Sequence, residues 1–205
     1  GILYTDFCKI ERREEDKMQT TATSSSKITT RQMTLIALMT AVTCILGPLS
    51  IPLPFSPVPI SFTNLAIYLS LYVLGTGKAA ISYLVYLLIG MTGIPVFSGF
   101  SGGLTKLAGP TGGYLVGFIF MALISGVIMS KFQGKKVLEG AGMVLGTAVC
   151  YVFGTAWLCV QAGMNFKAGL AAGVIPYIPG DLIKIVIAII VGSALRNAVN
   201  KIAQN

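Results

Sequence analysis

Asp181 and Lys184 stand three residues apart inside the last strongly apolar stretch of a 205-residue sequence whose only other acid after residue 17 is Glu139. A charged side chain at bilayer depth costs roughly 2.5 to 3.5 kcal/mol on insertion scales, so such residues face the interior of a bundle and pair with each other or meet a ligand. The i, i+3 spacing puts both heads on one helix face. The carboxylate can accept from N–H groups and the ammonium can donate to a carbonyl or an anion. The plainer alternative is an internal salt bridge that neutralises itself and joins two helices.

The rest of the composition narrows the chemistry. Apolar residues make up 54% of the chain and charged residues 11%, with a mean hydropathy of +0.80, far from the roughly 25% charged content of soluble domains. This is the composition of a polytopic membrane protein. There is no histidine, which removes the commonest general base and metal ligand. Cys8, Cys44, Cys150 and Cys159 show no C-x-x-C spacing and point to neither a disulfide framework nor a metal site. No catalytic residues, metal or cofactor are expected. Gly77-Lys78 and Gly134-Lys135 lack the remaining residues of a phosphate-binding loop, so any nucleotide-driven cycle needs another subunit.

The positioning elements are six apolar stretches, at about 33–49, 60–74, 79–93, 114–130, 141–161 and 174–194. They predict an all-α membrane protein with six transmembrane helices, the two shorter stretches borrowing flanking residues to span. Lys27, Arg31, Lys78, Lys131, Lys135, Lys136, Arg196 and Lys201 fall at one face, and only Lys106 and Lys167 at the other. The positive-inside rule then places both termini in the cytoplasm. The first stretch ends in Gly47-Pro48-Leu49 without a small-x-small cleavage site, so an uncleaved helix is expected rather than a signal peptide. Residues 1–32 are polar and read as a disordered tail, of which residues 1–17, preceding Met18, read as an added or upstream extension. Residues 33–205 then form the membrane domain. The charge of +8 follows membrane topology and does not indicate nucleic acid.

Two loops lie on the outer side in this reading. Residues 51–59 carry Pro52, Pro54, Pro57 and Pro59, a rigid rim. Residues 95–113 are rich in glycine and too long for a plain connection, the signature of a lid or binding loop. Phe97, Phe100, Tyr114, Tyr151 and Trp157 could wall a pocket beneath it, although an interfacial aromatic belt is the duller account of any one of them. Pro176 and Pro179 can break the start of the last span, leaving Gly180 and Asp181 at its restart. Ala37-x-x-x-Ala41, Gly113-x-x-x-Gly117, Gly142-x-x-x-Gly146 and Gly169-x-x-x-Gly173 have the spacing that lets helices approach closely, within the bundle or, for Ala37 and Ala41, against another protein.

The run Pro57-Val-Pro-Ile-Ser, then Gly93-Ile-Pro-Val-Phe, then Gly109-Pro-Thr-Gly-Gly-Tyr-Leu-Val-Gly, then Ile178-Pro-Gly-Asp-Leu-Ile-Lys184 resembles the BioY family, the biotin-binding S component of energy-coupling-factor (ECF) vitamin transporters. The similarity covers about residues 31–200. The resemblance implies a six-helix subunit in the plasma membrane of a prokaryote that captures biotin from outside. As partners it implies a transmembrane coupling protein and two cytoplasmic ATPase subunits. Substrate contacts carry over to Asp181, Lys184 and Ser101, with Gly102, Phe100, Tyr114, Tyr151 and Trp157 around them, and docking of the coupling protein to Ala37 and Ala41. Which group of biotin Lys184 meets, the ureido carbonyl or the carboxylate, stays open. Thr63 stands where relatives often have Gln, and Ser101 where some have Asn. The competing readings are a solitary biotin carrier, an S component for thiamin or riboflavin, and an intramembrane enzyme built on Asp181.

Overall fold

The computed structural model describes residues 28–204 except Phe55. The expectations for residues 1–27, the proposed extension among them, lie outside the described residues. The chain is mostly helical, in the order α1 (Thr30–Leu46), β1 (Ser50–Ile51), β2 (Ile60–Ser61), α2 (Thr63–Leu74), α3 (Thr76–Met91), α4 (Leu104–Ala108), α5 (Gly112–Lys131), α6 (Lys136–Ala162), α7 (Phe166–Gly173) and α8 (Ile178–Gln204). Of these, α5, α6 and α8 are long and apolar enough to cross a membrane, and α1, α2 and α3 are shorter apolar helices.

Helix boundaries depart from the apolar stretches where local chemistry intervenes. α1 begins at Thr30 because Thr29 and Gln32 form a reciprocal capping pair, Gln32 N donating to Thr29 Oγ1 and Thr29 N to Gln32 Oε1, both at 3.4 Å. That cap lies within the segment expected to be a tail. α2 is shorter than expected, 12 residues. The first residues of that predicted stretch, Ile60 and Ser61, instead pair antiparallel with Ile51 and Ser50, so the proline-rich rim joins two short strands. α3 follows α2 after Gly75 alone, whose φ of 76° permits the reversal. α4 lies within the glycine-rich loop and α7 in the connection between α6 and α8, both short helices with no signal in the apolar pattern. α8 runs past Ala194 to Gln204 because its polar final turns continue the helix beyond the apolar window.

Packing between α5 and α6 depends on missing side chains. A Cβ on Gly146 would lie 2.1 Å from Ser125 Oγ and 2.9 Å from Met121 O, and one on Gly117 would lie 3.0 Å from Cys150 Sγ. The small-residue pairs of α5, α6 and α7 therefore serve packing within the bundle. Ala37 and Ala41 differ: both are exposed, one turn apart on α1 beside Leu38 and Ile45. On the buried face of α1, Thr40 ties the helix to α3 through the Ser82 hydroxyl 3.0 Å away. The core is rich in tyrosine. Tyr83 and Tyr86 are buried, and each spends its hydroxyl on a backbone carbonyl, Leu115 O at 2.8 Å and Val96 O at 3.0 Å, which satisfies a polar atom that burial would otherwise penalise.

α8 is clamped to α2 along its length. Near one end Asn64 of α2 bonds Asp181 (2.9 Å). Further along, Gly192 lies against the Tyr72 ring so closely that a Cβ would come within 2.2 Å. Gly146→Ala should lower stability by about 1 to 3 kcal/mol through overpacking, whereas Gly77→Ala, which points into open space, should lose none; thermal unfolding in detergent compares the two.

Candidate functional site

Pro179 enters α8 in its first turn, where a missing N–H costs nothing, and the next residues bring Asp181 and Lys184 into the bundle. Their side chains are 11% and 7% exposed. Lys184 Nζ lies 3.0 Å from Asp181 Oδ1 and 2.6 Å from the carbonyl of Ser61 at the end of β2, with the Phe62 ring 5.5 Å away. Asp181 Oδ1 also accepts from Asn64 Nδ2 at 2.9 Å, and Oδ2 accepts from Tyr151 Oη at 2.5 Å. Four elements, β2, α2, α6 and α8, thus converge on one ion pair.

Counting bonds decides between a self-contained ion pair and a site. A carboxylate has about four acceptor positions and an ammonium three N–H donors. Among the described residues three of the former and two of the latter are used, leaving one acceptor position on Oδ2 and one N–H on Lys184. Both residues line a cavity, together with Tyr114 and Tyr151 on one side and Val58, Pro59 and Tyr177 on the other. A salt bridge is present, then, and it borders a cavity with hydrogen-bonding capacity to spare.

The cavity leaves about 60 Å³ for the centres of water molecules, room for roughly four to six waters. Its wall is mixed: Leu115, Phe118 and Met121 are apolar, while Thr111 and Thr147 add hydroxyls. The rim is braced by Tyr177, which donates to Val58 O and accepts from Ser56 Oγ at 2.7 Å. Tyr114 donates to Gly173 O at 2.9 Å, tying α5 to the end of α7.

The glycine-rich loop is anchored by Phe97, which is fully buried, packs edge-on to Tyr86 with centroids 5.6 Å apart, and sits where Gly90 leaves space. Phe97 and Ser101 pair backbone to backbone (2.8 and 3.3 Å), and Ser101 Oγ donates to Ser98 O at 2.8 Å. Ser98 of this loop lines the cavity. Phe100, with φ 52°, stands at the tip, 68% exposed. Trp157 lies on the outer face of α6 and donates Nε1 to Gly109 O at 2.9 Å, holding the loop down from behind.

Of the residues singled out in the sequence, the structure brings Asp181, Lys184, Tyr114 and Tyr151 around one cavity. Phe100, Ser101, Gly102 and Trp157 do not line it. Asn64, Ser98, Thr111 and Tyr177 line it and were not anticipated. Asn64 had a usable signal, a polar amide inside an apolar stretch beside Thr63; the others had none, because hydroxyls and tyrosines are common in such sequences.

The sequence matches the BioY family over residues 18–201. The chain belongs to the BioY family. A Rhizobium etli relative described as the biotin transporter BioY is 38% identical over 177 residues, covering 82% of this chain and 94% of the relative. A probable biotin transporter BioY from Pyrococcus horikoshii is 34% identical over 166 residues, covering 81% and 96%. Among solved structures, the crystal structure of the S component for biotin from an ECF-type ABC transporter matches with a TM-score of 0.76 at 31% identity, covering 82% of this chain and 91% of that one. BioY proteins are transporters, and the enzyme reading of Asp181 falls with that membership.

The buried carboxylate sets an order of effects. Tyr151→Phe removes one hydrogen bond to a charged group and should cost about 1.5 to 3 kcal/mol of stability. Lys184→Met strands Asp181 without its counter-charge and should cost more, about 3 to 5 kcal/mol. Chemical unfolding in detergent ranks the two.

Proposed function

We propose that this chain is the biotin-binding S component of an ECF-type transporter, a multi-pass protein of a prokaryotic plasma membrane that takes biotin from outside the cell. The observation that carries the reading is the spare capacity of the Asp181–Lys184 pair, one acceptor and one donor at the wall of a braced cavity. Biotin's ureido ring offers an N–H beside a carbonyl, which matches that complement: Asp181 Oδ2 accepts from the N–H and Lys184 donates to the carbonyl. Tyr114 and Tyr151 flank the bicycle. Family membership and the biotin transport attributed to the relatives support the ligand.

Residues 33–205 form the substrate-binding domain in this reading, its six apolar helices crossing the bilayer with both termini in the cytoplasm, as the distribution of lysine and arginine favours. Phe100, Ser101 and Gly102 belong to a lid that closes over the ligand, with Trp157 as its tether. A transmembrane coupling protein docks on the exposed Ala37–Ala41 face of α1, where small side chains allow close helix approach, and two ATPase subunits supply the energy. No covalent chemistry occurs in this chain.

Calorimetry of the detergent-purified protein should give saturable binding of biotin, and competition with thiamin and riboflavin should leave it unchanged; no heat with biotin, or displacement by either vitamin, overturns the ligand. Asp181→Asn should weaken binding by about 1 to 3 kcal/mol, and unaltered affinity would remove Asp181 from the contact set. Ala37→Trp should preserve biotin binding while preventing co-purification with the coupling protein, because bulk at a close helix contact keeps the backbones apart.

A further inference from the structure

A second buried ion pair lies at the far end of α8. Arg196 is 15 residues beyond Asp181, about 22 Å along the helix, so it takes no part in the cavity described above. Its Nη1 lies 2.8 Å from Glu139 Oε1, and its guanidinium stands 4.5 Å from the centre of the Tyr72 ring. Glu139 is 1% exposed and receives two further bonds, from Tyr72 Oη at 2.8 Å and from Gly134 N at 3.1 Å. The carboxylate thus fixes one edge of Arg196, whose planar fork carries five N–H donors and retains others.

Arg196 lines a pocket of about 250 Å³. Thr76, Ser130, Gln133 and Asn200 add polar groups, and Leu71, Leu74 and Met129 form an apolar part of the lining. No carboxylate lines it. Lysines neighbour the lining in sequence: Lys78 after Thr76, Lys131 and Lys135 around Gln133, and Lys201 after Asn200. Glu139 is the only acid described at this end of the bundle, and it faces Arg196.

We infer that this pocket between the ends of α2, α5 and α8 binds a phosphate-ester oxyanion, the headgroup of an anionic phospholipid. An orientationally fixed guanidinium with hydroxyl and amide neighbours suits a phosphate's oxygens. Basic pockets between membrane helices recognise such headgroups, and the apolar part of the lining gives the first carbons of an acyl chain a surface. Lys78, Lys131, Lys135 and Lys201 lie within two residues of the lining in sequence, and net positive charge at this end favours a net-negative headgroup over a zwitterionic one.

The test uses the full chain in neutral detergent, with thermal unfolding and native mass spectrometry as readouts and phosphatidylglycerol, phosphatidylcholine and inorganic phosphate as probes. Phosphatidylglycerol should stabilise and be retained at concentrations at least tenfold below phosphatidylcholine. Gln133→Glu/Asn200→Glu, both at exposed positions, should erase that preference while leaving the unliganded melting temperature and biotin binding unchanged. Stabilisation by inorganic phosphate equal to that by phosphatidylglycerol, and lost in the double variant, supports the oxyanion site and assigns it to a soluble phosphate. Equal binding of the two lipids by the wild-type chain, or a preference that survives the double variant, overturns the inference. Biotin binding fails or persists independently of these outcomes.

Discussion

A carboxylate held at 11% exposure inside an apolar bundle is the constraint around which one half of this molecule is organised. Left alone, such a group would cost several kcal/mol, and the structure meets that cost with Asn64, Tyr151 and Lys184, drawn from three different helices. Lys184 in turn needs the carbonyl of Ser61, so the short β1–β2 pairing and the proline-rich rim are fixed to the same point. Removing any one partner disturbs several elements at once. The result is a preorganised polar wall beside a cavity, in which the remaining hydrogen-bonding positions are oriented before a ligand arrives.

α8 connects this wall to the opposite end of the bundle. Its two ion pairs differ in surroundings: each carboxylate accepts three hydrogen bonds, but Asp181 borders the candidate cavity, whereas Glu139 is enclosed by Tyr72, Gly134 and Arg196 and does not line the pocket that Arg196 borders. The first arrangement suits capture of a small polar molecule. The second pins the α5–α6 turn and the end of α2 to α8 while holding Arg196 toward a basic pocket. Between them the glycine contacts of α5 and α6 supply close packing without large side chains, as expected where lipid removes the hydrophobic drive for helices to associate.

Membership of the BioY family accounts for the conjunction of features: a mostly apolar helical chain, a glycine-rich loop tethered at Phe97 and Trp157, and a charged pair beneath it. Of the four small-residue pairs marked in the sequence, Ala37 and Ala41 on α1 are exposed among the described residues, whereas the glycine pairs pack within the bundle. The loop tip carrying Phe100 is exposed and does not line the cavity, whereas Ser98 of the same loop does.

Much of this was legible in the residues. Asp181 and Lys184 stand out because charge is rare in an apolar sequence, and six apolar stretches announce six helices. Helix ends were less legible, since a Thr29–Gln32 cap, a single Gly75 reversal and a two-residue strand leave little trace in hydropathy. Asn64 shared the signal that marked Asp181, a polar group in an apolar run, but only its 2.9 Å contact separates a partner of the carboxylate from an ordinary polar residue. The sequence by itself determined that a charged pair is buried and on which helix, because burial of charge is a property of composition and local spacing. Which residues meet that pair, that Trp157 and Phe100 stand outside the cavity, and that one donor and one acceptor remain unused were decided by tertiary structure alone, because they depend on contacts between helices far apart in the chain.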